Sequence, residues 1–183
     1  LTPAFLTLDN FLNILRGSSV LMVLALASTI VIVSGSIDLS VGAVAALTGT
    51  LAVLMTEAGH PGLIWLALPI GLACGLLNGV LVAYAQLPSF LTTLGVLFIF
   101  NGFALRMTGG AAKFMDHPVL DNLINGSDLF GIPNVIWWAV LGLLVMSLIA
   151  YRTPFGRHIY AIGGKERVAR LSGLPVARTK LWM

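Results

Sequence analysis

The sequence predicts an all-α fold, a polytopic transmembrane helical bundle, on three observations. Hydrophobic residues make up 58% of the 183 residues and charged residues only 9%, where a soluble domain carries roughly 25% charged side chains. The apolar residues fall in uncharged runs close to the ~20 residues that cross about 30 Å of hydrocarbon. The short alternating segments of a membrane barrel are absent. Backbone amides in lipid need partners within their own segment, so runs of this length must be helices.

Five spans follow in order: Ser18–Ser34, Leu39–Thr56, Leu63–Ala85, Leu87–Leu105 and Asn134–Tyr151. Ahead of them, Leu1 to Arg16 carries Leu8, Leu12 and Leu15 at helical spacing and predicts a separate amphipathic lead-in helix. Glycine, proline and charge end the spans at Ser34 to Asp38, Glu57 to Gly62 and Gln86 to Ser89. The fourth connection, Arg106 to Pro133, holds Asp116, Asp121 and Asp128 against Arg106 and Lys113, and has room for a short surface helix.

Charge sets the orientation. Seven of the ten Lys and Arg residues (Arg152, Arg157, Lys165, Arg167, Arg170, Arg178, Lys180) follow the last span, beside one acidic residue, Glu166. By the positive-inside rule residues 152–183 are a cytoplasmic segment of a single membrane domain covering 1–183. The Asp38 and Gln86 turns then share the inner side, and the Glu57 turn and the long connection face out. An outer Leu1 without the basic n-region of a signal peptide points to a further span upstream. With the abrupt Leu181-Trp182-Met183 end, the chain is expected to be part of a longer protein. The net charge of +3 comes from the tail, so it reports orientation, and no nucleic-acid partner is expected.

Three features carry chemistry. The run Ile32 to Gly42 sets Asp38 and three hydroxyls between two apolar helices, where a charge costs at least about 2.5 to 3.5 kcal/mol at the bilayer centre. Either Asp38 is an N-cap for the second helix, or it marks a polar step in a substrate path between broken helices. In the tail, Arg152 to Gly164 leads into Lys165 to Ser172, apolar on one side, charged on the other, and stopped by Gly173. It is an interfacial helix on anionic lipid or a docking element for a cytoplasmic partner. Within the spans, Ser40, Asn78, Ser89, Thr92, Thr93 and Asn101 join Asp38 as candidate path residues, since a polar cargo stripped of water needs such groups as hydrogen-bond partners. Their bland alternative is bonding to backbone or to a neighbouring helix, and Gly71, Gly75 and Gly79, one helical turn apart, favour close helix contact. Cys74 stands alone, His60, His117 and His158 form no ligand pattern, and no phosphate-binding Gly-x-x-x-x-Gly-Lys-Ser/Thr loop is present. No metal or cofactor is expected.

Three blocks together carry a resemblance. Ser34 to Gly42 resembles the Gly-Gly-Ile-Asp-Leu-Ser-Val-Gly signature of the permeases of ribose-, xylose- and galactose-type bacterial ABC importers, with Ser36 for the second glycine. Leu87 to Gly95 resembles a second block of that family, and Gly156 to Gly173 its Gly-Arg-x-Ile-Tyr-Ala-Ile-Gly-Gly-Asn and Ala-Ala-Arg-Leu-Ser-Gly stretch, with Lys165 for the asparagine and one alanine of the pair retained. The resemblance implies a multi-pass inner-membrane subunit, itself no enzyme, that moves a monosaccharide. It implies a cytoplasmic ABC ATPase, a periplasmic sugar-binding protein and a second permease subunit, in a homodimer, as partners. It also implies that Gly163, Gly164, Glu166, Ala169, Arg170, Leu171, Ser172 and Gly173 form the coupling helix on the ATPase. The long outer connection, with Asp116 and Asp121, is the expected surface for the binding protein. An ion-coupled secondary transporter would use Asp38 without a docking tail, and a non-transporting scaffold would need neither.

Overall fold

In a computed structural model, described over residues 3–114, 117–126 and 131–183, every regular element is helical. Helix α1 spans Leu8–Val33, α2 Val41–Glu57, α3 Ala67–Ala83, α4 Ser89–Thr108, α5 Pro118–Asn125, α6 Asn134–Arg152, α7 Pro154–Leu171 and α8 Val176–Leu181. Four stretches are long and apolar enough to cross a membrane: α1, Pro61–Ala83, α4 and α6. The fifth, α2, has 17 residues, or about 26 Å at 1.5 Å per residue.

The first span begins earlier than the apolar run suggests. The Thr7 hydroxyl accepts from the Asn10 amide at 3.3 Å, and the helix then runs 26 residues without a break. The separate lead-in helix is therefore corrected to a four-residue 3-10 turn, Pro3–Leu6, followed directly by α1. The Thr7 cap starts the helix at Leu8, and the single Gly17, at a propensity cost of about 1 kcal/mol, does not break it.

The tail also departs from expectation. Thr153 closes α6 with its hydroxyl on the Ile149 carbonyl at 2.6 Å and caps α7 by accepting from the Gly156 amide at 3.2 Å. A full helix thus occupies residues 154–164, where the sequence predicted only a lead-in. Lys165, with φ −162° and ψ 99°, breaks α7, and the short helix expected from Lys165 to Ser172 occupies 166–171. Gly173 takes the left-handed φ of 80° that stops it. In the long connection α5 is the short helix that was expected; Asp121 lies on it, while Asp116 and Asp128 lie outside the described residues.

Helix α2 is the hub, packed on α4 and α3; α3 also carries α8, and α1 packs on α6 and α7. A buried apolar cluster, Ile162, Ala169 and Val176, lies in the tail. Leu21, Phe98 and Leu144 on the spans are outward-facing and exposed, as side chains solvated by lipid would be. Contacts sort the ends of the bundle. The Asp38 turn bonds to the start of α4, the end of α1 touches α7, and the end of α3 touches α8. Glu57 and Lys113 pair at the opposite end, at 2.7 Å. The Asp38 and Gln86 turns therefore share the tail's end.

Candidate functional site

The loop 34–40 interrupts two apolar helices, and each of its amides must find a partner. Gly35 and Ser36 donate back to the Ile32 and Val31 carbonyls at 2.9 and 3.2 Å. The Ile37 amide donates to Ser89 Oγ at 3.2 Å and the Leu39 amide to Thr93 Oγ1 at 3.1 Å. Ser89 and Thr93 lie one turn apart in α4, so one helix face supplies both acceptors. The Ser40 amide donates to Asp38 Oδ1 at 2.7 Å. Asp38 is thus not the N-cap proposed for it: Ser40 holds that position, and the Asp38 carboxylate turns back on Ser40 instead of meeting the first amides of α2.

A directed chain of hydrogen bonds leaves this carboxylate. Ser40 Oγ lies 2.6 Å from Asp38 Oδ1, and Asn78 Nδ2 lies 2.7 Å from Ser40 Oγ. Ser40 Oγ donates its single proton to Asp38, so it must accept from Asn78. That fixes the Asn78 amide with its nitrogen toward Ser40. Its Oδ1 is buried with no hydrogen-bond partner, in a residue only 6% exposed.

Asn78 lines a cavity of about 250 Å³ with Ser36, Asp38, Ser89, Thr93 and Lys180. Four of these, Asp38, Asn78, Ser89 and Thr93, were predicted path residues, and Ser40 stands behind them. A neighbouring cavity of about 480 Å³ shares Ser36, Ser89 and Lys180 and adds Gln86, Glu166 and Arg170. Gln86 holds a φ of 56°, rare for a side-chain-bearing residue. Two predicted path residues lie elsewhere. Thr92 is buried with its hydroxyl on the Pro88 carbonyl at 3.1 Å, and Asn101 lines a third cavity between α2 and α4, toward Lys113.

The predicted coupling residues divide as well. Gly163 gives the backbone of α1 its approach: a Cβ there would overlap the Val33 carbonyl. Ala169 is buried in the tail cluster. Gly164, Arg170, Leu171, Ser172 and Gly173 are exposed. Glu166 pairs with Lys180 at 2.7 Å and with Arg170 at 3.0 Å. Its carboxyl is held below its ordinary value, first by the hydrogen bond from Lys180 and then by that from Arg170, against an opposing effect of burial. Lys180 escaped the reading of the sequence, although a single acidic residue among seven basic ones signals a partner.

The model of the family described as branched-chain amino acid transport system / permease component matches residues 10–183. The chain belongs to this permease family. The permease is 37% identical over 190 residues to "Ribose import permease protein RbsC" of Haemophilus influenzae, covering 100% of this chain and 58% of that protein. It is 33% identical over 181 residues to "L-arabinose ABC transporter permease protein AraH" of Azospirillum brasilense, covering 98% and 53%. It is 37% identical over 164 residues to "Autoinducer 2 import system permease protein LsrD" of Yersinia pseudotuberculosis, covering 86% and 49%. The permease chain thus spans between about half and three-fifths of the length of these relatives. No solved structure matches it.

Proposed function

We propose that this chain is the membrane-spanning part of a permease subunit that passes a monosaccharide inward across the bacterial inner membrane, driven by a separate cytoplasmic ATPase. The observation that carries the proposal is the placement of the exposed surface Arg170 to Gly173 at the same end as the cavities around Asp38, Asn78 and Lys180. A partner docked on that surface stands beside these cavities, and ATP hydrolysis is assigned to that partner. The relatives named for ribose and arabinose import support a pentose-sized cargo.

The cavity wall is mostly apolar, with Leu72, Leu76, Val82 and Trp182 among its lining, so the preference for a polyol over a branched-chain amino acid rests on its few polar groups. Asn78 Oδ1 is a buried acceptor without a partner and Ser36 and Ser89 line the wall with hydroxyls, whereas the one cation in the wall, Lys180, is already engaged by Glu166 and is not offered to a cargo carboxylate. At about 250 Å³ the cavity is below the roughly 300 Å³ at which pockets for drug-sized ligands begin. A sugar-binding protein would meet the opposite end, where α5 presents Asp121, and a second permease copy would complete the pathway.

The test is recovery of the neighbouring ATPase from detergent with the full-length permease, wild type against Arg170→Glu/Gly173→Pro, together with uptake of labelled ribose, arabinose and leucine. Wild type is expected to recover the ATPase and the variant to lose it, with uptake of a sugar. Leucine uptake alone would reassign the cargo, and no ATPase with either form would favour an ion-coupled carrier or a scaffold.

A further inference from the structure

Glu166 divides one carboxylate between two helices. Its Oε1 accepts from Arg170 Nη2 at 3.0 Å, one turn along the same helix, where Arg170 is 60% exposed. Its Oε2 accepts from Lys180 Nζ at 2.7 Å, 14 residues further on in α8, and the Lys180 side chain is 16% exposed. An exposed pair one turn apart contributes little. The Glu166–Lys180 pair joins two helices, and although Glu166 is 41% exposed its lysine is largely enclosed, so removing Glu166 strands a mostly buried ammonium.

The two elements joined by this pair have different anchors. The first part of α7 is held to α1 where the Gly163 backbone meets Val33. At Lys165 the helical geometry is lost, so residues 166–171 can tilt without carrying that contact with them. On their other side they share a buried cluster with α8 through Ala169 and Val176. Helix α8 in turn rests on α3 with nothing between the backbones: a Cβ at Gly79 would lie 2.5 Å from the Leu181 carbonyl oxygen. Gly79 follows Asn78, and Lys180, Leu181 and Asn78 all line the same cavity.

We infer that the Glu166–Lys180 ion pair is the joint through which displacement of the helix 166–171 reaches α8 and the wall of the Asn78 cavity. It rests on the importer reading above. Glu166 and Lys180 are positioning residues in this mechanism: their charges engage each other, and they decide whether a movement imposed at the exposed Arg170 surface alters the cavity that Lys180 helps to line. A joint between packed elements carries coupling only when both ends bias one two-state element, and here that element is α8 on α3.

The experiment uses the full-length permease with its ATPase and binding protein in proteoliposomes, as wild type, Lys180→Met, Glu166→Gln and the double variant. Methionine keeps the lysine's unbranched four-atom stem and removes its ammonium group. Lys180→Met is expected to recover the ATPase as wild type does, while sugar moved per ATP hydrolysed falls at least about fivefold in each single variant, the low end of coupling between distinct sites. The double variant is expected to be no worse than the poorer single one, as for two halves of one interaction. Wild-type transport per ATP in both single variants overturns the inference, as does a double variant whose loss is the product of the two. Loss of ATPase recovery by Lys180→Met also overturns it, by making Lys180 a docking residue. If Lys180→Met is not monodisperse in detergent, Glu166→Gln decides by the same criterion. Failure of the wild type to recover the ATPase defeats the importer reading itself.

Discussion

Two adjacent threonines in α4 show what a hydroxyl inside a membrane helix does. Thr92 and Thr93 are both buried, and both lie in the turn after Pro88. The Thr92 hydroxyl returns to the Pro88 carbonyl at 3.1 Å, which already accepts the Thr92 amide at 3.0 Å. The Thr93 hydroxyl accepts the Leu39 amide from another element at 3.1 Å. Replacing each by the isosteric valine separates the two roles. Thr93→Val leaves a backbone donor without its partner and is expected to cost about 1–3 kcal/mol. Thr92→Val is expected to stay within about 0.5 kcal/mol, as for substitutions that strand nothing. Unfolding of the full-length protein in detergent measures both, and equal losses would refute the assignment. Among the seven candidate path residues, Asp38, Ser40, Asn78, Ser89 and Thr93 are tied together by hydrogen bonds or a shared cavity. Their chemistry was legible in the sequence as polar groups in apolar runs; their convergence was not, because it is the packing of three separate elements, the 34–40 loop, α3 and α4, that brings them together.

At the scale of elements, glycine decides where helices touch. Gly71 faces α2 side chains at 3.6 Å, Gly79 faces the α8 backbone, and nothing lies within 4 Å of a Cβ placed at Gly75. One stripe therefore serves two partners, with Gly75 lining the cavity between them. The neighbouring pair Gly163 and Gly164 makes the same contrast within the tail. A Cβ at Gly163 overlaps the Val33 carbonyl, while one at Gly164 meets nothing within 4 Å. Gly163→Ala is expected to force α7 from α1 at an overpacking cost of about 1–3 kcal/mol. Gly164→Ala is expected to be neutral or stabilising by up to about 1 kcal/mol, through helix propensity. Thermal unfolding of the two variants side by side checks the difference, and matched melting temperatures would remove the α1–α7 contact from the account. The sequence presents the two glycines as one docking feature; only the approach of α1 makes the first of them structural.

For the whole molecule, alternation of the helices puts the Gln86 turn and the basic tail at one end and the Glu57 turn at the other. With Cys74 first replaced by serine, single cysteines at Gly59, Gln86 and Arg178 are all at exposed positions. A membrane-impermeant maleimide applied to spheroplasts is expected to label Gly59→Cys alone; Gln86→Cys and Arg178→Cys are expected to react only after the membrane is opened. Labelling of Gln86→Cys together with Gly59→Cys from outside would overturn the alternation, and labelling of Arg178→Cys from outside would reverse the orientation read from the basic tail.

Composition and run length by themselves determined that the chain is helical and lies in a membrane, because lipid leaves the backbone only that solution for apolar runs of this length. Its charge pattern set an expected orientation, and its three sequence blocks pointed to the permease family to which the chain belongs. What tertiary structure alone decided is which polar groups face one another. The bond from Asn78 to Ser40 and the Glu166–Lys180 pair both depend on contacts between segments apart in the sequence. Local propensity reports the periodicity of each helix, and distance along the chain carries no record of the helix that will lie beside it.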